Sequence, residues 1–245
     1  MGYFDWYKKV RETHKGRTIF NVHRSYYVIS QLTPFITPFF IMRKISAMTV
    51  TYLRGFLGLA SIFLVVWIEP ARMNLAVIAI LVFRLSDSID GDIARVTNTS
   101  SMLGRYLDGF VDIVTESLFP LAFAYALYKT EPNVLYMALG GFLCFLSCLA
   151  NLNIDRYSTF IRWIRERERI DIEMPLFSKR GRMVTNFFTD LWYLSIITTA
   201  FNLKMGVVSL LCVVFIWSSF NLVYFMRLVY GKIKGFPDKP KVHAV

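Results

Sequence analysis

Residues 71–112 read ARMNLAVIAILVFRLSDSIDGDIARVTNTSSMLGRYLDGFVD, and their pattern decides the fold. An apolar run from Leu75 to Phe83 passes through Arg84 into Asp87 and Asp90, and a second apolar stretch carries Asp108 and Asp112. Asp87 and Asp90 are three apart, and Asp108 and Asp112 are four apart, so each pair shares one face of a helix. The polar turn from Val96 to Met102 is short. Two helices joined that way are expected to pack antiparallel and to bring their acidic pairs together.

Outward from this stretch, the chain continues in the same apolar vein. Of its 245 residues 55% are hydrophobic and only 18% are charged, below the roughly 25% of an ordinary soluble domain. Mean hydropathy is +0.45. A disordered chain and a secreted disulfide scaffold are both excluded. Cys144, Cys148 and Cys212 each lie in an apolar stretch and read as packing residues.

Six segments are long enough to span a bilayer, which takes about 20 residues. They run over 45–68, 71–95, 103–128, 134–164, 183–203 and 206–230. The expected fold is all-α: a six-span transmembrane bundle with an N-terminal interfacial amphipathic helix. Residues 25–44 supply that extra helix, because Pro34 and Pro38 should break a single spanning helix there. The chain divides into a cytoplasmic segment over 1–44, a catalytic domain over 45–230 and a basic tail over 231–245. No cleavable signal and no lipid anchor are expected at the N-terminus, where Trp6 stands in place of a Ser or Thr.

The net charge of +11 could point to nucleic acid or to membrane. The cations flank apolar segments, so anionic lipid is the better partner and no nucleic acid is expected. Lys8, Lys9, Arg11, Lys15, Arg17, Arg24, Arg43 and Lys44 precede the first span. Arg162, Arg165, Arg167, Arg169, Lys179, Arg180 and Arg182 lie between the fourth and fifth. The alternate connections hold only Arg72, Lys129 and Lys204. Both termini and the acidic ends of the helices are therefore expected to be cytoplasmic.

A charge at the bilayer centre costs about 2.5–3.5 kcal/mol on the insertion scale. Asp87, Asp90, Asp108 and Asp112 need a compensating cation. Two facing carboxylate pairs suit a hard divalent ion, Mg²⁺ or Mn²⁺, and the lack of nearby His and Cys argues against zinc. The plainer alternatives are an ion relay in a transporter, or structural pairing with Arg54, Arg84 and Arg95. Gly91, Ala94 and Gly104 leave room for a ligand against backbone, and Arg95 offers a cation to a phosphate. Asp92 points away from the Asp87/Asp90 face. His14, His23 and His243 lie outside the spans and carry no assigned role.

The order Asp87-x2-Asp90-Gly91-x2-Ala94-Arg95-x8-Gly104-x3-Asp108-x3-Asp112 resembles, without a gap, the signature of the CDP-alcohol phosphotransferase family. Thr51 and Arg54 resemble that family's Pro-Asn-x-Ile-Thr-x2-Arg stretch, with Ala47 and Met48 in place of Pro and Asn. Gly181-Arg182-Met183-Val184-Thr185 is similar to the Gly-Lys-x-Lys-Thr of phosphatidylglycerophosphate-type members, with Val184 for the second Lys. The resemblance implies transfer of a phospho-alcohol group from a CDP-alcohol such as CDP-diacylglycerol to an acceptor hydroxyl, with release of CMP. It implies two Mg²⁺ or Mn²⁺ ions on Asp87, Asp90 and Asp108. Asp112 becomes the general base and a further metal contact, and Gly91, Ala94, Arg95 and Gly104 line the CDP site. A homodimer is implied, for which Gly140, Gly141, Cys144, Ser147 and Cys148 offer a small-residue surface.

A phosphorylated polar acceptor such as glycerol phosphate or inositol phosphate would suit Arg156 and Arg182. Both residues equally satisfy the positive-inside pattern. Asp190 and Asn221 either touch substrate or bridge helices. Two other readings compete: the same chemistry with a soluble CDP-alcohol donor, and a cation-coupled transporter. A transporter would place its acids near mid-membrane on broken helices. Prenyltransferases also pair Asp motifs with Mg²⁺ but lack the Gly-x2-Ala-Arg continuation.

Overall fold

A computed structural model describes residues 2–15, 24–168 and 179–233, and the described residues form helices with no strand. They are α1 (Tyr3–Thr13), α2 (Arg24–Met42), α3 (Ala47–Trp67), α4 (Met73–Thr97), α5 (Met102–Thr130), α6 (Val134–Glu168), α7 (Lys179–Phe201) and α8 (Leu203–Ile233). The helix boundaries carry local signals. Ser46 caps α3 by accepting from the Thr49 amide at 3.1 Å, and Ser101 caps α5 by accepting from Gly104 at 3.0 Å. Asn98 ends α4 in the left-handed region at φ 55°. Asn202 alone separates α7 from α8, and its side chain accepts from the Met205 amide at 3.0 Å.

Four helices are long and apolar enough to cross a membrane: α3, α5, the Val134–Thr159 part of α6, and the Leu203–Arg227 part of α8. Helices α4 and α7 have the length, at 25 and 23 residues, but are more polar. In α4 the polarity is that of Arg84, Asp87, Asp90, Asp92 and Arg95, the stretch that builds the site. The outer surface carries large apolar side chains such as Phe56, Phe63, Trp67, Phe142, Phe145 and Phe215. Exposed rings on this scale belong in lipid. The chain is a multi-pass membrane protein.

Two expectations are corrected. Helix α2 is a single 19-residue helix with Pro34 and Pro38 inside it. Both prolines sit with Thr33, Thr37 and Ile41 on the buried face, while Leu32, Phe35, Phe39 and Met42 face outward. Packing against α1 and α4 holds the helix together where propensity alone would break it.

The second correction concerns α4 and α5. Their backbones do not pack chiefly on each other; both pack against α3. Gly58 makes this possible. A Cβ there would stand 2.8 Å from Thr115 Oγ1 on α5 and 3.0 Å from the Phe83 ring on α4. Helix α3 therefore lies against both α4 and α5, and side chains of those two helices meet beside it, as the Arg84–Glu116 pair shows. Gly140 is likewise used within the chain. A Cβ at that point would lie 2.4 Å from Ala124 Cβ, so α6 approaches α5 closely there.

Two apolar cores flank the acidic level. The larger gathers Val65, Met73, Ile80, Phe119, Phe123, Ile196 and Leu210 from five helices. The smaller joins Val10 of α1 and Ile41 of α2 to Val50, Ile89, Ile93 and Val96. Along α4, Asp87 falls between them and Asp90 follows Ile89 into the smaller one, so the site is held by packing on both sides.

Candidate active site

Three helices supply the site. Helix α4 presents Asp87 and Asp90, α5 presents Asp108 and Asp112, and α3 inserts Thr51 and Arg54, which are three apart and share a face. Arg54 is fully buried. Its Nη1 donates to Asp87, donates to Asp108 Oδ1 at 2.5 Å and lies 3.5 Å from Asp90 Oδ2. Its Nη2 donates to the Asp108 carbonyl at 2.9 Å and to Asp112 Oδ1 at 3.0 Å. Thr51 Oγ1 donates to Asp90 Oδ2 at 3.0 Å.

Ligand-capable oxygens of Asp87, Asp90 and Asp108 all lie within 4.8 Å of one another. Four carboxylates here face one guanidinium, so the cluster keeps a surplus of negative charge in a partly desolvated place. That donor set fits a hard divalent cation, Mg²⁺ or Mn²⁺: oxygen ligands only, more than one helix, and unspent charge. Asp112 stands one turn beyond the three, with its oxygen on Arg54.

Two cavities open on either side of this cluster. The first, of about 420 Å³, is lined by Asp90, Gly91, Ala94, Arg95, Gly104 and Asp108, the residues expected for a donor site, together with Ser46, Thr51 and Arg105. The N-terminal turns of α3 and α5 both open onto it. The positive helix ends favour an anion there, and Arg95 and Arg105 add charge. The second cavity, of about 250 Å³, is lined by Asp87, Arg84, Glu116, Trp192, Tyr193 and Asn221, among others. Arg84 pairs with Glu116 at 2.5 Å and lies 4.8 Å from the Trp192 ring centre. Asn221 is buried, donates to the Trp217 carbonyl at 3.0 Å, and its Oδ1 finds no partner among the described residues.

The structure thus brings Asp87, Asp90, Asp108 and Asp112 together and gathers Gly91, Ala94, Arg95 and Gly104 around one cavity. Arg156 is exposed on α6 and lines neither cavity. Arg182 falls in the first turn of α7, and its side chain lies outside the described residues. Arg54 is the residue that sequence reasoning weighed only as a structural partner. A cation inside the apolar 47–67 stretch is as costly as an anion, and that cost alone points it at the acidic pairs.

Fold and site together define a membrane-embedded helical bundle with a carboxylate-rich centre between an anion-suited cavity and a smaller polar one. Residues 44–217, most of the chain, match the CDP-alcohol phosphatidyltransferase family, and the chain belongs to that family. It is also 33% identical over 110 residues to the CDP-diacylglycerol–serine O-phosphatidyltransferase of Saccharomyces cerevisiae. That stretch covers 43% of this chain and 40% of the yeast protein, so the match spans about two fifths of the relative's length.

Proposed function

We propose that this protein transfers a phosphatidyl group from CDP-diacylglycerol to the hydroxyl of a small polar acceptor, releasing CMP, in phospholipid synthesis. The observation that carries the reading is the placement of the carboxylate cluster between two cavities, with the family's full signature built into it.

Asp87, Asp90 and Asp108 would hold one or two Mg²⁺ or Mn²⁺ ions. When bound, such ions neutralise and orient a pyrophosphate and stabilise CMP as it leaves. The chain's own residues do the remainder. Arg95, Gly91, Ala94 and Gly104 seat the donor against backbone at the two helix N-termini. Asp112 takes the acceptor's hydroxyl proton as the new oxygen–phosphorus bond forms and the phosphorus–oxygen bond to CMP breaks. Arg54 fixes Asp112 and Asp108 in relation to each other, which matters because this reaction depends on positioning.

The acceptor enters the second cavity. Its acid, guanidinium, amide and aromatic groups suit a compact polar molecule. Serine is the first acceptor to consider, since the yeast relative is named for it. In this reading all six helices α3–α8 span the membrane, both termini and the site face the cytoplasm, and the enzyme works as a homodimer. Gly140 serves α5–α6 packing, so any dimer surface on α6 is built around Gly141, Cys144 and Cys148.

Purified protein with CDP-diacylglycerol and, separately, serine, inositol, inositol phosphate or glycerol 3-phosphate tests this. A new phospholipid of the mass that one acceptor predicts supports the reading and names the acceptor. Product only when a soluble CDP-alcohol is supplied with a lipid acceptor would replace it with the reversed-donor reading.

A further inference from the structure

Asp92 is the one carboxylate in the signature stretch with neither a metal-holding nor a base role in the proposed reading, and it is fully buried. It is not an idle charge. His14, at the end of α1, places Nε2 2.8 Å from Asp92 Oδ1 and 2.9 Å from Oδ2. Arg95 Nη2 donates to the same Oδ1 at 2.8 Å. Arg95 itself is half exposed at the donor cavity, and its head lies over Gly91. A Cβ on Gly91 would stand 3.1 Å from both terminal nitrogens of Arg95.

The guanidinium is therefore fixed from two sides: the bare Cα of Gly91 beneath it and the Asp92 carboxylate beside it. Asp92 is in turn held by His14. A long arginine left to itself samples many rotamers, whereas one bound to a buried, clamped carboxylate arrives at a phosphate already placed. Helix α1 is anchored to do this. Val10 is buried in the smaller core, and the Tyr3 hydroxyl donates to the Phe35 carbonyl of α2 at 2.6 Å. Residues 3–14 lie outside the 44–217 stretch that the family matches.

We propose that His14 and Asp92 are positioning residues of the donor site. The N-terminal helix sets the Arg95 guanidinium for the donor's phosphates through a His14–Asp92–Arg95 chain. This inference rests on reading the first cavity as the donor site, and it gives α1 a part in substrate binding beyond packing against α2 and α4.

The test is a double-mutant cycle on the full-length protein in detergent with Mn²⁺. CDP is the binding probe, and steady-state kinetics with CDP-diacylglycerol provide the second readout. Asp92→Asn and His14→Ala are each expected to weaken CDP binding and raise the donor KM about tenfold, the scale of one charge-assisted hydrogen bond. Saturated kcat and the acceptor KM should stay within about twofold, since neither residue touches reacting atoms. His14→Gln, whose amide N–H reaches toward the same carboxylate, should recover part of the loss. Asp92→Asn added to Arg95→Ala should cost nothing beyond Arg95→Ala alone.

Multiplying losses in the double variant, or a fall in kcat with donor KM unchanged, would overturn the inference while leaving the donor site in place. Equal CDP affinity in all variants would do the same. A wild-type protein that binds no CDP would overturn the donor reading itself, and this inference with it.

Discussion

The Arg54 guanidinium lies 2.5 Å from Asp108 Oδ1 while its other nitrogen reaches Asp112 at 3.0 Å, so one buried cation ties two acids a helical turn apart. The same side chain touches Asp87 on the neighbouring helix. Arg54 is thus the pin through which α3 holds the two acidic pairs in register, and the first prediction concerns its loss. Arg54→Ala leaves partly buried carboxylates facing one another, and breaking such a network costs about 3–5 kcal/mol. Thermal unfolding in detergent should show a clear drop in Tm, with added Mn²⁺ recovering part of it. CMP release should fall at least about a hundredfold. An Arg54→Ala protein with native Tm and activity would remove Arg54 from the site.

Metal loading should be visible without turnover. A ligand at 100 times its Kd stabilises the folded state by about 2.7 kcal/mol, so Mn²⁺ should raise the wild-type Tm measurably. In Asp90→Asn and Asp108→Asn that rise should vanish, along with activity. In Asp112→Asn, where the oxygen sits on Arg54 rather than in the three-carboxylate group, a Tm rise should remain although activity is lost. If all three variants still respond to Mn²⁺ like the wild type, the ion binds elsewhere.

Gly58 offers a purely steric test. It lies one turn from Arg54 on the same face of α3, and a Cβ would meet Thr115 and Phe83 at 2.8 and 3.0 Å. Gly58→Ala must push α3 away from α5 or α4, at about 1–3 kcal/mol. Because the shift displaces Arg54, kcat should fall more than either substrate's KM rises. A Gly58→Ala protein with unchanged Tm and kcat would show that the three helices can part without cost to the site.

In the proposed reading the second cavity takes the acceptor and the first the donor, and the two can be told apart kinetically. Glu116→Gln breaks the pair with Arg84 at the cavity wall and should raise the acceptor KM about tenfold while CDP affinity is unchanged. Arg156→Ala, on the exposed face of α6, should leave both KM values within about twofold. Kinetics at varied acceptor would show the opposite pattern if the acceptor instead docks on the α6 cations.

Much of this was readable from residue spacing, and the exceptions have physical causes. The α3–α8 boundaries follow from apolar length and polar turns, and the carboxylate pairs follow from three- and four-residue spacing. Gly91, Ala94, Arg95 and Gly104 share a cavity because they continue those same faces. Helix α2 was harder, because Pro34 and Pro38 lower its intrinsic stability while its buried face, invisible to local pattern, restores it. The close approach of α3 to both α4 and α5 depended on Gly58, a single small residue whose meaning appears only with Thr115 and Phe83 opposite it. His14 and Asp92 are 78 positions apart. Helix geometry correctly turned Asp92 away from the metal face, but no periodicity could say that α1 returns to meet it.

A carboxylate-held metal centre is tested most directly by CMP release from the purified protein with CDP-diacylglycerol, serine and Mn²⁺, measured beside Asp108→Asn and beside a metal-chelated sample. Acceptor-dependent CMP is expected from the wild type, abolished by chelation, restored by Mn²⁺ and absent in Asp108→Asn. CMP formation that survives both chelation and Asp108→Asn would contradict a carboxylate-held metal centre as the seat of the reaction.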